Sequence, residues 1–130
     1  MTGFLRSWAP ALLWTAAIFA ASSRSTVPVD LHSGTDNLAH FAAYAVLGVA
    51  LAFGQLRSGL HLGWAVAIGV LIGGLDALYQ GTVPGRRQEL GDWIADSLGV
   101  IFGVAAYNFR ARGRARPRAS ARSSEPIPHE

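Results

Sequence analysis

Three short runs in this 130-residue chain carry side chains able to hold or move a proton. Asp36, His40 and Tyr44 follow one another at i, i+4 and i+8, which places all three on one face of a helix. Asp76 and Gln80 repeat the i, i+4 spacing. Asp92 and Asp96 repeat it again, in a stripe that Gly99 and Gly103 continue. A histidine among carboxylates suits general acid–base chemistry, with the carboxylates orienting the imidazole. His40, Asp76 and Asp96 are therefore the acid–base candidates, and Asp36, Tyr44, Gln80, Arg86 and Asp92 the candidates for holding a ligand. Arg86 follows Val83-Pro84-Gly85, in which Pro fixes one φ and Gly permits a positive one. Such a turn presents a guanidinium whose planar fork fits a carboxylate or a phosphate. Asp and His can bind a metal, but a single His with carboxylates is no recognisable metal-ligand motif, so no metal and no cofactor is expected. The chain has no Cys, which removes disulfides, thiolate metal sites and a Cys nucleophile.

Each candidate also has a plainer reading. Asp36 and Asp92 fit the first turn of a helix, where the dipole favours a carboxylate. His40 fits a packed histidine bonded to a backbone carbonyl, and Tyr44 an interhelical packing residue. Gly69 and Gly73, like Gly99 and Gly103, are small-xxx-small pairs that let membrane helices approach, and packing is their favoured role. Asp76 and Asp96 resist a plain reading, because each lies about a turn inside an apolar segment. An isolated buried carboxylate would take up a proton, so pairing with Arg86, Arg87 or His40 is expected.

The elements that position these groups are four apolar segments, over residues 4–21, 38–56, 60–79 and 93–109. Each approaches the roughly 20 residues that a helix needs to cross a bilayer. Hydrophobic residues make up 51% of the chain and charged residues only 15%, well below the about 25% usual in soluble domains. The segments are apolar nearly all round rather than striped. The expected fold is all-α: a polytopic membrane protein with a four-helix domain over 4–109. A disordered, Arg-rich cytoplasmic tail follows over 110–130. That tail reads as solvated and topology-fixing, able to touch anionic lipid by charge, and no nucleic-acid partner is expected. Trp8, Trp14, Trp64, Trp93 and Tyr107 lie mostly near segment ends, as interfacial aromatic belts do. The first segment has a rival reading as a secretory signal peptide, with Arg6 before its apolar run and small residues Ala20-Ala21-Ser22 at its end. Its length and its Trp8, Pro10 and Trp14 favour a span.

Arg placement orients the bundle. Arg6, Arg57 and the six tail arginines lie on one side; Arg24, Arg86 and Arg87 lie on the other. The positive-inside rule then puts both termini in the cytoplasm. In an up-and-down bundle, the start of the second helix, the end of the third and the start of the fourth reach the same face. The three polar runs converge there, on the extracytoplasmic side.

These residues resemble the VanZ-like family of bacterial membrane proteins. The family's Asp-x-x-x-His-Phe-x-x-Tyr-x-x-Leu-Gly run is matched by Asp36, His40, Phe41, Tyr44, Leu47 and Gly48. Asp76, Gln80, Pro84, Gly85, Arg86, Asp92, Gly99 and Gly103 follow in the family's order, and Ser22-Ser23 is similar to its Ser after the first helix. There are two departures. Ala77 stands where relatives usually carry Glu, and Asp96 where they commonly carry Asn, so Asp96 is a candidate to restore a second carboxylate. The resemblance implies a place in the bacterial cytoplasmic membrane and an envelope role. The family's namesake is associated with glycopeptide (teicoplanin) resistance, a role that does not transfer to this chain.

Three functions compete. The first to consider is an enzyme on an envelope lipid or cell-wall precursor, with His40 as acid or base and Arg86 on a phosphate. The favoured reading is instead a non-catalytic, envelope-associated protein whose polar cluster is a structural lock or a docking site for an anionic lipid or precursor at the outer leaflet, since no nucleophile arrangement is visible and the family Glu is lost. A transporter is disfavoured, because four short helices leave little room for alternating access unless the chain forms a homo-oligomer.

Overall fold

The computed structural model describes residues 2–24, 33–85 and 89–115. The four apolar segments form α1 (Thr2–Ser22), α2 (Ser33–Ser58), α3 (Leu62–Gln80) and α4 (Leu90–Ala115). Each is long and apolar enough to cross a membrane. The helices α2 and α4 start earlier than their apolar runs, and for one reason. Asp36 and Asp92 fall in their first turns, where a carboxylate meets the free N–H groups and positive dipole end. At its other end α4 runs past Phe109 to Ala115, with Arg112 and Arg114 in its last turn. Arg and Ala are good helix formers, and cations favour a helix C-terminus, so helix extends into the first part of the expected tail. The remainder of the tail lies outside the described residues.

Polarity is arranged inside out. Leu13 is 73% exposed and Leu71 63%, whereas Asp76 is 1% and Asp96 2% exposed. Outward apolar faces and inward polar groups are what a lipid solvent selects, because a charged side chain facing hydrocarbon is costly. The fold is that of a membrane-embedded four-helix bundle.

The tightest packing joins α2 to α4, and glycine makes it so. A Cβ on Gly99 would run into the carbonyl oxygen of Phe41, and one on Gly103 into that of Ala45. A Cβ on Gly48 would lie 2.5 Å from the Val100 carbonyl oxygen in return. The helix backbones therefore touch, the outcome that the small-xxx-small spacing predicts. Around this seam Tyr44, Leu47, Leu51, Val100 and Val104 form the buried core. The α1 helix packs on α2 and α3, pinned at one end by Trp8 Nε1 donating to Ser58 Oγ at 2.9 Å. Further along, Trp14 Nε1 donates to the Ala43 carbonyl at 2.8 Å. At least two of the tryptophans expected as belt residues thus also clamp helices together.

Two loops use the left-handed region. Gly59 has φ 68°, and beside it the Leu60 N–H reaches the Gln55 carbonyl at 3.1 Å, closing α2 in a Schellman-type turn. Gly85 has φ 84°, as the Pro-Gly turn before Arg86 requires.

Candidate functional site

The C-terminal ends of α1 and α3 and the N-terminal ends of α2 and α4 meet at one end of the bundle. The polar runs gather there. On α2, His40 Nδ1 lies 3.0 Å from Asp96 Oδ1 on α4. With the carboxylate as acceptor, Nδ1 carries the proton and Nε2 is the nitrogen left for other partners. Its one-turn neighbour Tyr44 is buried and donates its hydroxyl to Asp76 Oδ2 on α3 at 3.2 Å.

Asp76 has a second donor in Gln80, whose Nε2 lies 2.9 Å from the same Oδ2. Gln80 also reaches Ser22 Oγ at the end of α1, at 3.3 Å. Both donors to Asp76 fall on one oxygen. The other, Oδ1, is buried and has no hydrogen-bond partner among the described residues. A buried carboxylate oxygen left unpaired costs free energy, so this atom is where a cation or a hydrogen-bond donor would be held.

The expected pairing is thereby divided. His40 takes Asp96, as one of the expected pairings had it, while Asp76 is held by the neutral donors Tyr44 and Gln80. Arg86 and Arg87 lie outside the described residues. Asp36 and Asp92 do occupy first turns, as the plainer reading had it, and they also approach His40. One ligand atom from each of Asp36, His40 and Asp92 lies within 4.8 Å of the other two.

Beside these groups is a cavity of about 370 Å³ between α1, α2 and α3. One part of its wall is apolar, from Trp14, Ala17, Ile18 and Ala21 of α1 with Ala39 and Ala43 of α2. The other part is polar: Ser22, Asp36, His40, Tyr44, Asp76 and Gln80. The contribution of α1 was not foreseen from sequence, because an apolar segment with few polar markers does not reveal which face it turns inward. Ser22 was the one available signal.

Ala77, the position of the family's usual Glu, lies elsewhere. It lines a separate cavity of about 310 Å³ between α3 and α4, together with Glu89 and Trp93. Asp96 lies beside His40 at the polar end, while Glu89 is the carboxylate that lines the cavity of Ala77.

The bundle, with its polar cluster buried at one end, defines a small polytopic membrane protein built around an internal acidic site. The family profile of VanZ/LLP1 matches residues 4–111, and the chain belongs to that family. Comparison with curated proteins and with solved structures returned no match.

Proposed function

We propose that this protein binds an anionic amphiphile of the bacterial envelope, a lipid or a lipid-linked cell-wall precursor, in the cavity between α1, α2 and α3. The observation that carries the reading is the two-sided wall of that cavity. Small and apolar side chains from α1 and α2 suit an acyl or isoprenoid chain. Polar groups from α1, α2 and α3 suit a headgroup. The positive-inside distribution puts this end at the extracytoplasmic face. Arg86 follows the turn closing α3 and supplies the guanidinium for an anionic group. The protein then sits in the cytoplasmic membrane with both termini inside.

The test is lipid retention. The full chain is extracted in nanodiscs of native membrane and the co-purifying lipids are identified by mass spectrometry. One species should be enriched over bulk lipid and lost from Ala43→Phe, which fills the cavity, and from Arg86→Ala. Bulk lipid composition in the wild type, or unchanged enrichment in Ala43→Phe, sinks the reading.

The 3.0 Å contact between His40 and Asp96 favours a second reading. A carboxylate on Nδ1 leaves Nε2 as a general base, the arrangement by which an imidazole accepts a proton from a bound hydroxyl or water. Here His40 and the aspartates act on the amphiphile rather than only hold it. Conversion of the retained lipid over time by wild type, and none by His40→Ala, distinguishes an enzyme from a binding protein.

A further inference from the structure

The end of the bundle opposite the polar cluster holds a separate groove of about 270 Å³, between the start of α3 and the last turns of α4. Its wall changes character with depth. Leu62 and Val66 of α3 line it together with Ile101 and Ala105 of α4, and Asn108 and Arg112 line it nearer the end of α4. Ile101, Ala105, Asn108 and Arg112 recur at spacings of four, three and four residues, so they share one face of the helix. From Ile101 to Arg112 that face runs about 16 Å at 1.5 Å per residue, close to half of a hydrocarbon core of about 30 Å. A stripe that starts apolar near mid-membrane and ends on a guanidinium repeats the order of a phospholipid, acyl chain first and phosphate last.

Charge decides which phospholipid fits. The carboxylates among the described residues, Asp36, Asp76, Glu89, Asp92 and Asp96, all belong to the polar end. The Arg112 end carries Arg6, Arg57, Arg110 and Arg114 as well, and Arg57 stacks on the Phe53 ring at 5.2 Å. The complement to this charge therefore comes from outside the described bundle. At a membrane surface the anion at hand is a lipid phosphate.

The groove is open to such a lipid and has a fixed floor. Phe109 at its rim is 83% exposed, and Ile101 is 47% exposed. Asn108 is buried. Its Nδ2 donates to the Val104 carbonyl at 2.9 Å and to Gln55 Oε1 of α2 at 3.5 Å. A wall held in place before binding lowers the ordering cost of a ligand.

We propose that this groove seats one anionic phospholipid, with an acyl chain along Val66, Ile101 and Ala105 and the phosphate on Arg112. A guanidinium suits that place because its planar fork meets two phosphate oxygens at once. The site differs from the general attraction of an Arg-rich end to anionic lipid, which needs no groove. It is also independent of the amphiphile reading, since the two cavities lie at opposite ends and share no lining residue.

The full chain is delipidated in detergent and titrated with phosphatidylglycerol, and in parallel with phosphatidylcholine of the same acyl chains. Native mass spectrometry counts the lipids bound. Wild type should prefer phosphatidylglycerol. Ala105→Phe fills the groove from an exposed position and leaves every charge in place, so it should lose one bound phosphatidylglycerol per chain. Arg112→Gln should weaken the same event about five-fold, one arginine's share at an anionic surface. Arg114→Gln, outside the groove, and Ala43→Phe, in the other cavity, should keep it. Equal affinity of wild type for the two lipids overturns the inference, whether or not any variant folds. A preference that survives in Ala105→Phe overturns it too, because the arginines would then attract lipid without a groove. Loss of the preference in Ala43→Phe but not in Ala105→Phe would assign the lipid to the cavity between α1, α2 and α3 instead. A dimer that Ala105→Phe dissociates would put a second copy of the chain in the groove, and the lipid site would fall.

Discussion

His40 Nδ1 meets Asp96 Oδ1 at 3.0 Å across the seam where α2 and α4 touch backbone to backbone. The contact depends on that closeness: Gly99, one turn beyond Asp96, lies against the Phe41 carbonyl, next in sequence to His40. The pair is thus set by glycine packing as much as by charge.

This relation predicts different outcomes for two substitutions at Asp96. An Asn there can still accept from Nδ1–H through its carbonyl oxygen, so Asp96→Asn should remain folded with His40 held in place. Asp96→Ala leaves the Nδ1–H without its partner and should cost about 1.5–3 kcal/mol, the range for hydrogen bonds to charged groups. Denaturant unfolding in detergent micelles measures both. Equal destabilisation by Asn and Ala would mean that the carboxylate charge, rather than an acceptor at this position, supports the fold.

Asp76 should behave differently, because two donors share its Oδ2. Tyr44→Phe removes one donor and leaves Gln80 in place, a loss of about 0.5–1.5 kcal/mol. Asp76→Ala strands both the Tyr44 hydroxyl and the Gln80 amide in a buried setting, so its cost should exceed that of Tyr44→Phe. A double-mutant cycle between Tyr44 and Asp76 should show a coupling of about 0.5 kcal/mol or more. Additive single effects would mean that the 3.2 Å contact contributes nothing to stability.

The glycine seam gives the sharpest contrast within one helix. Gly103→Ala drives a methyl into the Ala45 carbonyl, and overpacking of this kind costs about 1–3 kcal/mol. Gly113 belongs to the same helix but has nothing within 4 Å of where its Cβ would lie. Gly113→Ala should therefore be neutral or stabilising by up to about 1 kcal/mol, the difference in helix propensity. Thermal unfolding of both variants in one detergent decides the matter. A Gly103→Ala protein as stable as wild type would show that α2 and α4 are not in backbone contact.

Much of this arrangement was legible before any coordinates. Helical spacing put Asp36, His40 and Tyr44 on one face, and alternation of four spans brought the ends of α2, α3 and α4 together. What spacing does not give is the rotation of each helix about its axis, which selects partners. It did not reveal that Asp76 would take Tyr44 and Gln80, or that Ala77 would face Glu89 in a different cavity. The buried pair at the far end, Asn108 Nδ2 and Gln55 Oε1 at 3.5 Å, was missed for the same reason: each is a lone amide in an apolar run. The cavity wall from α1 was hidden because Ile18 looks no different in sequence from the exposed Leu12 and Leu13, and Trp14 reads as a belt residue.

Orientation is the remaining expectation on which the functional reading depends, and the absence of Cys from the chain makes it directly measurable. Thr82 is exposed in the turn after α3, and Leu60 is exposed in the opposite turn after α2. A single Cys at position 82 should react with a membrane-impermeant thiol reagent in intact cells. One at position 60 should react only after the membrane is opened. The reasoning is electrostatic: Arg6, Arg57 and the α4 arginines Arg110, Arg112 and Arg114 all lie at the Leu60 end, and arginines near span ends are retained on the cytoplasmic side. The reverse labelling pattern would place the Asp36–His40–Asp96 cluster at the cytoplasmic surface. The binding partner would then have to be a headgroup of the inner leaflet, and an outer-leaflet envelope precursor could not reach the site.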